Sequence, residues 1–107
     1  MPQAFSQFEA TPNGAAAHQG PLTVGAAAVT LLSLLSGGAL HAETRFVEIA
    51  VETDDIRLTV NGTEPTATLG RAVLADSSRL LSRAEADAAK LIRITTDAKI
   101  QVTQYTN

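Results

Sequence analysis

Residues 45–66 read RFVEIAVETDDIRLTVNGTEPT, and their apolar pattern decides the fold class. Val47, Ile49 and Val51 alternate with polar or small residues, as do Ile56, Leu58 and Val60. Each run therefore lays one apolar face on a sheet and leaves the other toward water. Between them stands the polar turn Glu52-Thr53-Asp54-Asp55, so the two runs are expected to pair as a β-hairpin. A second hairpin is expected near the end of the chain, where Leu91-Ile92-Arg93-Ile94 and Ile100-Gln101-Val102 flank Thr96-Asp97-Ala98. The expected core is accordingly Val47, Ile49, Val51, Ile56, Leu58, Val60, Ile92, Ile94, Ile100 and Val102.

Working outward, Pro21-Leu22-Thr23-Val24 and Ala28-Val29-Thr30-Leu31 are short strand candidates split by Gly25. Residues 31–35 carry four leucines, which fit a turn of helix or a loop serving either the core or an interface. Past the Asn61-Gly62 turn and a loop stiffened by Pro65, Ala72-Val73-Leu74 and Arg79-Leu80-Leu81 are further strand candidates. Ser82 with Glu85 three residues on forms a helix capping box ahead of an alanine-rich stretch. The chain thus reads as all-β, a small antiparallel β-sandwich or jelly-roll-like barrel of about eight short strands with turn signals between them.

A length of 107 residues holds one domain. Residues 1–20 read as an extended N-terminal arm and residues 21–107 as a single β domain. The arm has Pro2 and Pro12, a turn-prone Asn13-Gly14, and bulky apolar side chains at Phe5 and Phe8. It reads either as a frayed terminus or as an arm that docks both Phe rings in a groove on a neighbouring subunit. With aromatics at 4% and no Trp, the interior must be built from Val, Ile, Leu and Ala, which favours support from association.

The absence of cysteine removes thiolate catalysis, disulfides and Cys-ligated metals. A net charge of −3 supplies no cationic field for a phosphate backbone, so no nucleic-acid partner is expected. Residues 24–42, VGAAAVTLLSLLSGGALHA, have the apolar segment and small-residue end of a secretory signal, but no Lys or Arg precedes Arg45. The run is also too short, and too broken by Gly37-Gly38, to cross a bilayer. No membrane partner is expected, and synthesis in the cytosol of a producing cell fits better.

Chemistry-bearing patterns are thin. Asp54 and Asp55 with Glu52 and Asn61 gather oxygens, but their spacing matches no calcium loop and an exposed turn explains them. His18 and His41 stand without the convergent signals of a catalytic pair, and no G-x-S-x-G elbow is present. The scattered glycines form no phosphate cradle. No catalytic, cofactor or metal residue is expected. Arg57 and Arg93 are placed on outward strand faces, and with Arg79, Arg83 and Lys90 they serve either as solvated charge or as partners for acidic groups.

One resemblance reaches further. The strand D-I-R-L-T-V followed by N-G-T-E-P-T, then Leu69-Gly70-Arg71-Ala72-Val73-Leu74, then the closing L-I-R-I-T-T-D-A-K-I-Q-V-T-Q-Y, resembles the small structural proteins of tailed-bacteriophage virions, of the head decoration or cement type. The likeness spans residues 21–105. It implies a non-enzymatic protein on the capsid surface, bound to the major capsid protein and to its own copies, with a trimer favoured. Phe5, Phe8, Leu34, Leu35, Arg79 and Arg83 are the partner-binding residues expected on that reading. A tail, fibre-base or head-tail joining role is the nearest alternative. The N-G-T-E-P-T turn is also similar to DGT-x-PT turns of β-sandwich modules in carbohydrate-active enzymes, which implies a glycan-binding or adhesion module instead.

Overall fold

In the computed structural model, which describes residues 15–106, eight strands follow one another along the chain. They are β1 (Ala15–Val24), β2 (Val29–Thr30), β3 (Phe46–Thr53), β4 (Ile56–Thr59), β5 (Arg71–Val73), β6 (Ser78–Ser82), β7 (Lys90–Arg93) and β8 (Ala98–Tyr105). Two short helices, α1 (Leu31–Leu34) and α2 (Arg83–Ala88), interrupt them. One sheet has the order β1-β8-β3-β6 and the other β2-β7-β4-β5, with every pairing antiparallel. Strands 1 and 8, 2 and 7, 3 and 6, and 4 and 5 are therefore neighbours. A long hairpin wrapped up on itself gives this order, which is the jelly-roll form of the sandwich.

Neither expected hairpin forms. β3 lies in the first sheet beside β6 and β8, whereas β4 lies in the second beside β5 and β7. The turn at Asp54, which takes a left-handed φ of 60°, carries the chain from one sheet to the other. β7 and β8 are separated in the same way. Alternation fixes which face of a strand is apolar and says nothing about its hydrogen-bonding partner. A run that folds back within a sheet and a run that crosses to the facing sheet bury the same residues.

The core confirms most of the expected inward faces. Val47, Ile49, Val51, Ile56, Leu58, Ile100 and Val102 are all buried, and Val60 packs partly against them. β7 is the exception, because Leu91 is fully buried while Ile92 and Ile94 are half-exposed. Its register explains the shift: Leu91 stands opposite Leu58, and Ile92 stands opposite Arg57 on the outer face. Arg57 is held outward by donating to the carbonyls of Ala67 and Gly70, at 3.2 Å each. Arg93 correspondingly falls opposite Ile56, and its guanidinium pairs with Asp97.

One end of the sandwich is closed by the helices. Ser82 caps α2 with the full reciprocal box to Glu85, and Thr30 caps α1 by accepting from the Ser33 amide at 3.2 Å. Leu31, Leu35, Leu40, Ala86 and Ala89 are buried there, and the Leu31 amide donates to the Ala89 carbonyl at 3.0 Å. The leucines of residues 31–35 thus finish the core. Of the two residues read from sequence as serving either the core or an interface, Leu35 is buried in the core and Leu34 is partly buried against it.

The boundary drawn at residue 20 also moves. β1 begins at Ala15, opposite Tyr105, and residues 15–20 are paired with β8 as part of the sheet. Their polar and small side chains hid the strand, since β1 is an edge whose outer face is wet. Register irregularities and Pro21, which lacks an amide hydrogen, interrupt that edge. At Gly20 a Cβ would overlap the end of the Gln101 side chain, so a larger residue there would have to displace that side chain. Phe5 and Phe8 lie outside the described residues.

Candidate functional site

The outer face of the β1-β8-β3-β6 sheet divides into two parts. Toward the start of β8, polar side chains interlock across the strands. His18 bonds Thr103 through Nδ1 at 2.8 Å and Gln101 through Nε2 at 3.0 Å. Gln101 donates to Glu52 at 3.3 Å, and Lys99 donates to Thr23 at 2.6 Å. Toward the other end the face turns apolar. Phe46 stands opposite Tyr105 on one side and Ser82 on the other, and Leu80 stands opposite Glu48.

Phe46, Glu48, Leu80 and Tyr105 line a shallow groove of about 430 Å³. Phe46 is 40% and Leu80 57% exposed, two large apolar groups on a face that elsewhere carries His18, Glu52, Lys99, Gln101 and Thr103. Glu48 is the groove's one carboxylate, and its Oε1 accepts from the Tyr105 hydroxyl at 3.0 Å. Partial burial, followed by that hydrogen bond and the Glu48 charge, raises the Tyr105 pKa above the usual 10.0.

Because a phenol whose pKa is raised on folding binds its proton more tightly in the native state, the associated stability is intact below pH 10. It is lost as pH rises through the folded value. Tyr105 is the only tyrosine, so ultraviolet titration of tyrosinate reads this group alone. Glu48→Gln should lower its midpoint toward the ordinary value, whereas an unchanged midpoint would mean that the carboxylate does not act on the phenol.

A second polar cluster fixes the loop ahead of β3. The buried Gln104 carbonyl oxygen accepts from the His41 amide and from the Thr44 hydroxyl, both at 2.8 Å. Arg83 donates through one Nη1 to the carbonyls of His41, Ala42 and Thr44 at 2.8, 3.2 and 3.0 Å, with Asp87 3.9 Å away. Arg83, expected to bind a partner, is thus committed to its own loop. It also walls a second cavity of about 530 Å³ with Ala42, Glu43, Thr44, Arg45 and Thr106. Arg79 is half-buried opposite Ile49 on the edge strand β6. Of the partner residues expected from sequence, Phe5 and Phe8 lie outside the described residues, and the other four fall on separate elements: Leu34 in α1, Leu35 just after it, Arg79 in β6 and Arg83 in α2.

The oxygens that sequence gathers around Asp54 and Asn61 serve separate local bonds, Glu52 accepting from Gln101 across the sheet. Asp55 Oδ1 accepts from the Ala75 amide at 2.9 Å, and Asn61 Oδ1 accepts from the Thr63 amide at 3.1 Å. Among the described residues no three His, Asp or Glu side chains form a group able to hold a metal ion, and no helix is long and apolar enough to cross a membrane.

The groove itself was legible in part. Phe46 falls in phase with Glu48 and not with Val47, Tyr105 falls in phase with Gln101 and Thr103, and of the adjacent Leu80 and Leu81 only one can face inward. Comparison of the chain with protein-family models, with curated proteins and with solved structures finds no match.

Proposed function

We propose that this chain is a non-enzymatic structural protein of a tailed-phage virion, a decoration or cement protein on the outer surface of the capsid. It stabilises the head by contacts with the major capsid protein and with its own copies, most simply as a closed trimer. The observation that carries this reading is the Phe46–Leu80–Tyr105 groove, an apolar and aromatic surface on a sheet whose interior is already filled. Aromatic anchors in a groove with a polar surround are the composition of a protein contact. The sequence resemblance supplies the choice of partner, and the jelly-roll form suits it by analogy, because viral shells and lectins both use that fold. Weak contacts repeated over a symmetric shell add up through avidity, which suits a small module. Electron cryo-microscopy of the virion encoded with this chain tests the location. The expected result is jelly-roll density on the outer capsid surface bridging capsid subunits, and density confined to the tail or absent from the particle would overturn it.

A second reading has one observation in its favour. Phe46 and Tyr105 beside the Glu48 carboxylate also make a surface on which a sugar ring could stack and hydrogen-bond. A glycan-binding screen separates the two, since a decoration protein gives no glycan signal that Tyr105→Ala removes.

A further inference from the structure

We propose that the open edge of β6 takes an extended segment of a partner protein as an added strand, antiparallel to Ser78–Ser82, with an acidic residue of that segment set against Arg79. The inference rests on the hydrogen-bonding phase of the edge. The Val51 amide donates to the Ser77 carbonyl at 2.8 Å, the Arg83 amide donates to the Arg45 carbonyl at 3.0 Å, and the register between these two bonds is unbroken. Odd-numbered residues of β6 therefore bond β3, whereas Ser78 and Leu80 turn both N–H and C=O away from the sheet. Ser82 has the same phase, but its amide already donates to Glu85 Oε1 at 3.0 Å. Among the described residues no strand continues the ladder beyond Ser78 and Leu80. The other three sheet edges are blunted: β1 is broken by Pro21 and by register irregularities, β2 has two residues and β5 three. β6 has five residues, with no proline and no lysine.

Arg79 decides the occupant. It shares the inward face with the buried Leu81, stands opposite the fully buried Ile49 and is itself half-buried. Among the described residues the ion pairs are Arg83–Asp87 and Arg93–Asp97, so this guanidinium has no carboxylate. A second copy is a poor partner. Two-fold pairing of β6 with itself that engages both Ser78 and Leu80 sets Arg79 against its own copy, with Cα atoms about 4.5 Å apart, and like charges directly opposite are destabilising. The other symmetric register, centred on Leu80, sets Ser78 against Ser82, whose amide is taken. A partner strand with a carboxylate opposite Arg79 meets an unpaired cation in a site partly shielded from water. Leu80, 57% exposed on the outer face, favours an apolar residue opposite it, and Leu81 favours another on the inner face. Main-chain bonds supply the affinity and these three positions the selectivity, as in other strand additions.

The probe is the peptide acetyl-Thr-Val-Val-Glu-Thr-amide, whose Glu falls opposite Arg79 in the antiparallel register, titrated into the full chain and followed by backbone amide resonances. Binding should shift the Ser78 and Leu80 amides most and slow their hydrogen exchange about tenfold at saturation. The same peptide with Lys in place of Glu should bind about tenfold more weakly, and Arg79→Glu should reverse the preference. Circular dichroism checks that Arg79→Glu folds, and the wild-type shift map and peptide ratio decide the proposal without that variant. Equal affinity for the two peptides, no binding of either, or shifts centred on β1, β5 or Phe46 and Tyr105 in place of β6 would each overturn it. The proposal goes beyond the capsid reading and uses isolated protein with a synthetic strand. Its failure leaves the capsid assignment standing, and failure of that assignment leaves the peptide result unaffected.

Discussion

Leu91→Asp should abolish folding, while Ile92→Asp, one residue along the same strand, should leave the domain folded. Leu91 is fully buried opposite Leu58 between the two sheets. A carboxylate there loses the leucine's packing, about 2–5 kcal/mol, and adds the cost of an unpaired charge in an apolar interior, several kcal/mol more. Together these approach the whole stability of a small domain, about 5–15 kcal/mol. Ile92 is half-exposed opposite Arg57, so an aspartate there sits on the outer face across from a guanidinium and should change stability by about 1 kcal/mol or less. Thermal unfolding followed by circular dichroism decides the matter. A folded Leu91→Asp protein with an unfolded Ile92→Asp protein would put β7 out of register by one residue.

That pair of positions also shows what the sequence could and could not convey. Inward faces were legible wherever apolar and polar residues alternate strictly, as in β3, β4 and β8, because the period of a strand is two. In Leu91-Ile92-Arg93-Ile94 three apolar residues compete for one face, and only the position of Leu58 across the sheet settles which goes inside. Strand partnership was not legible at all. The two-residue connection at Asp54-Asp55 looks like a hairpin turn, yet it carries the chain between sheets, and that outcome depends on β6 and β8 claiming both sides of β3. Local signals did better where the interaction is local, as in the Ser82–Glu85 capping box that starts α2.

The outer-face groove was harder to see than the core. Arg83 reads from sequence as a free surface charge, but it satisfies three carbonyls of a loop some forty residues away in sequence, a contact that only the tertiary fold creates. The leucines of residues 31–35 left core and interface open from sequence, because the helix that carries Leu31–Leu34 against the core is only one turn long. Phe46, Leu80 and Tyr105 each carried a phase signal within their own strand. Their assembly into one groove required β8, β3 and β6 to be adjacent, which no local pattern states.

If the protein reinforces a capsid, as proposed, its largest functional effect should appear in the particle. Virions made without this protein should assemble, because cement contacts bridge subunits that are already joined, yet release their genome at lower temperature and under osmotic shock. Leu80→Asp, at an exposed position, should fold normally and bind the particle about 30-fold more weakly, the equivalent of about 2 kcal/mol for a lost apolar anchor. The most direct measurement is therefore the genome-release temperature of particles lacking the protein, before and after purified protein is added back. Wild-type protein should restore the release temperature, and the same concentration of Leu80→Asp protein should not. Particles equally robust with and without the protein, but unable to attach to cells, would contradict the capsid reading and move the protein to a tail or fibre.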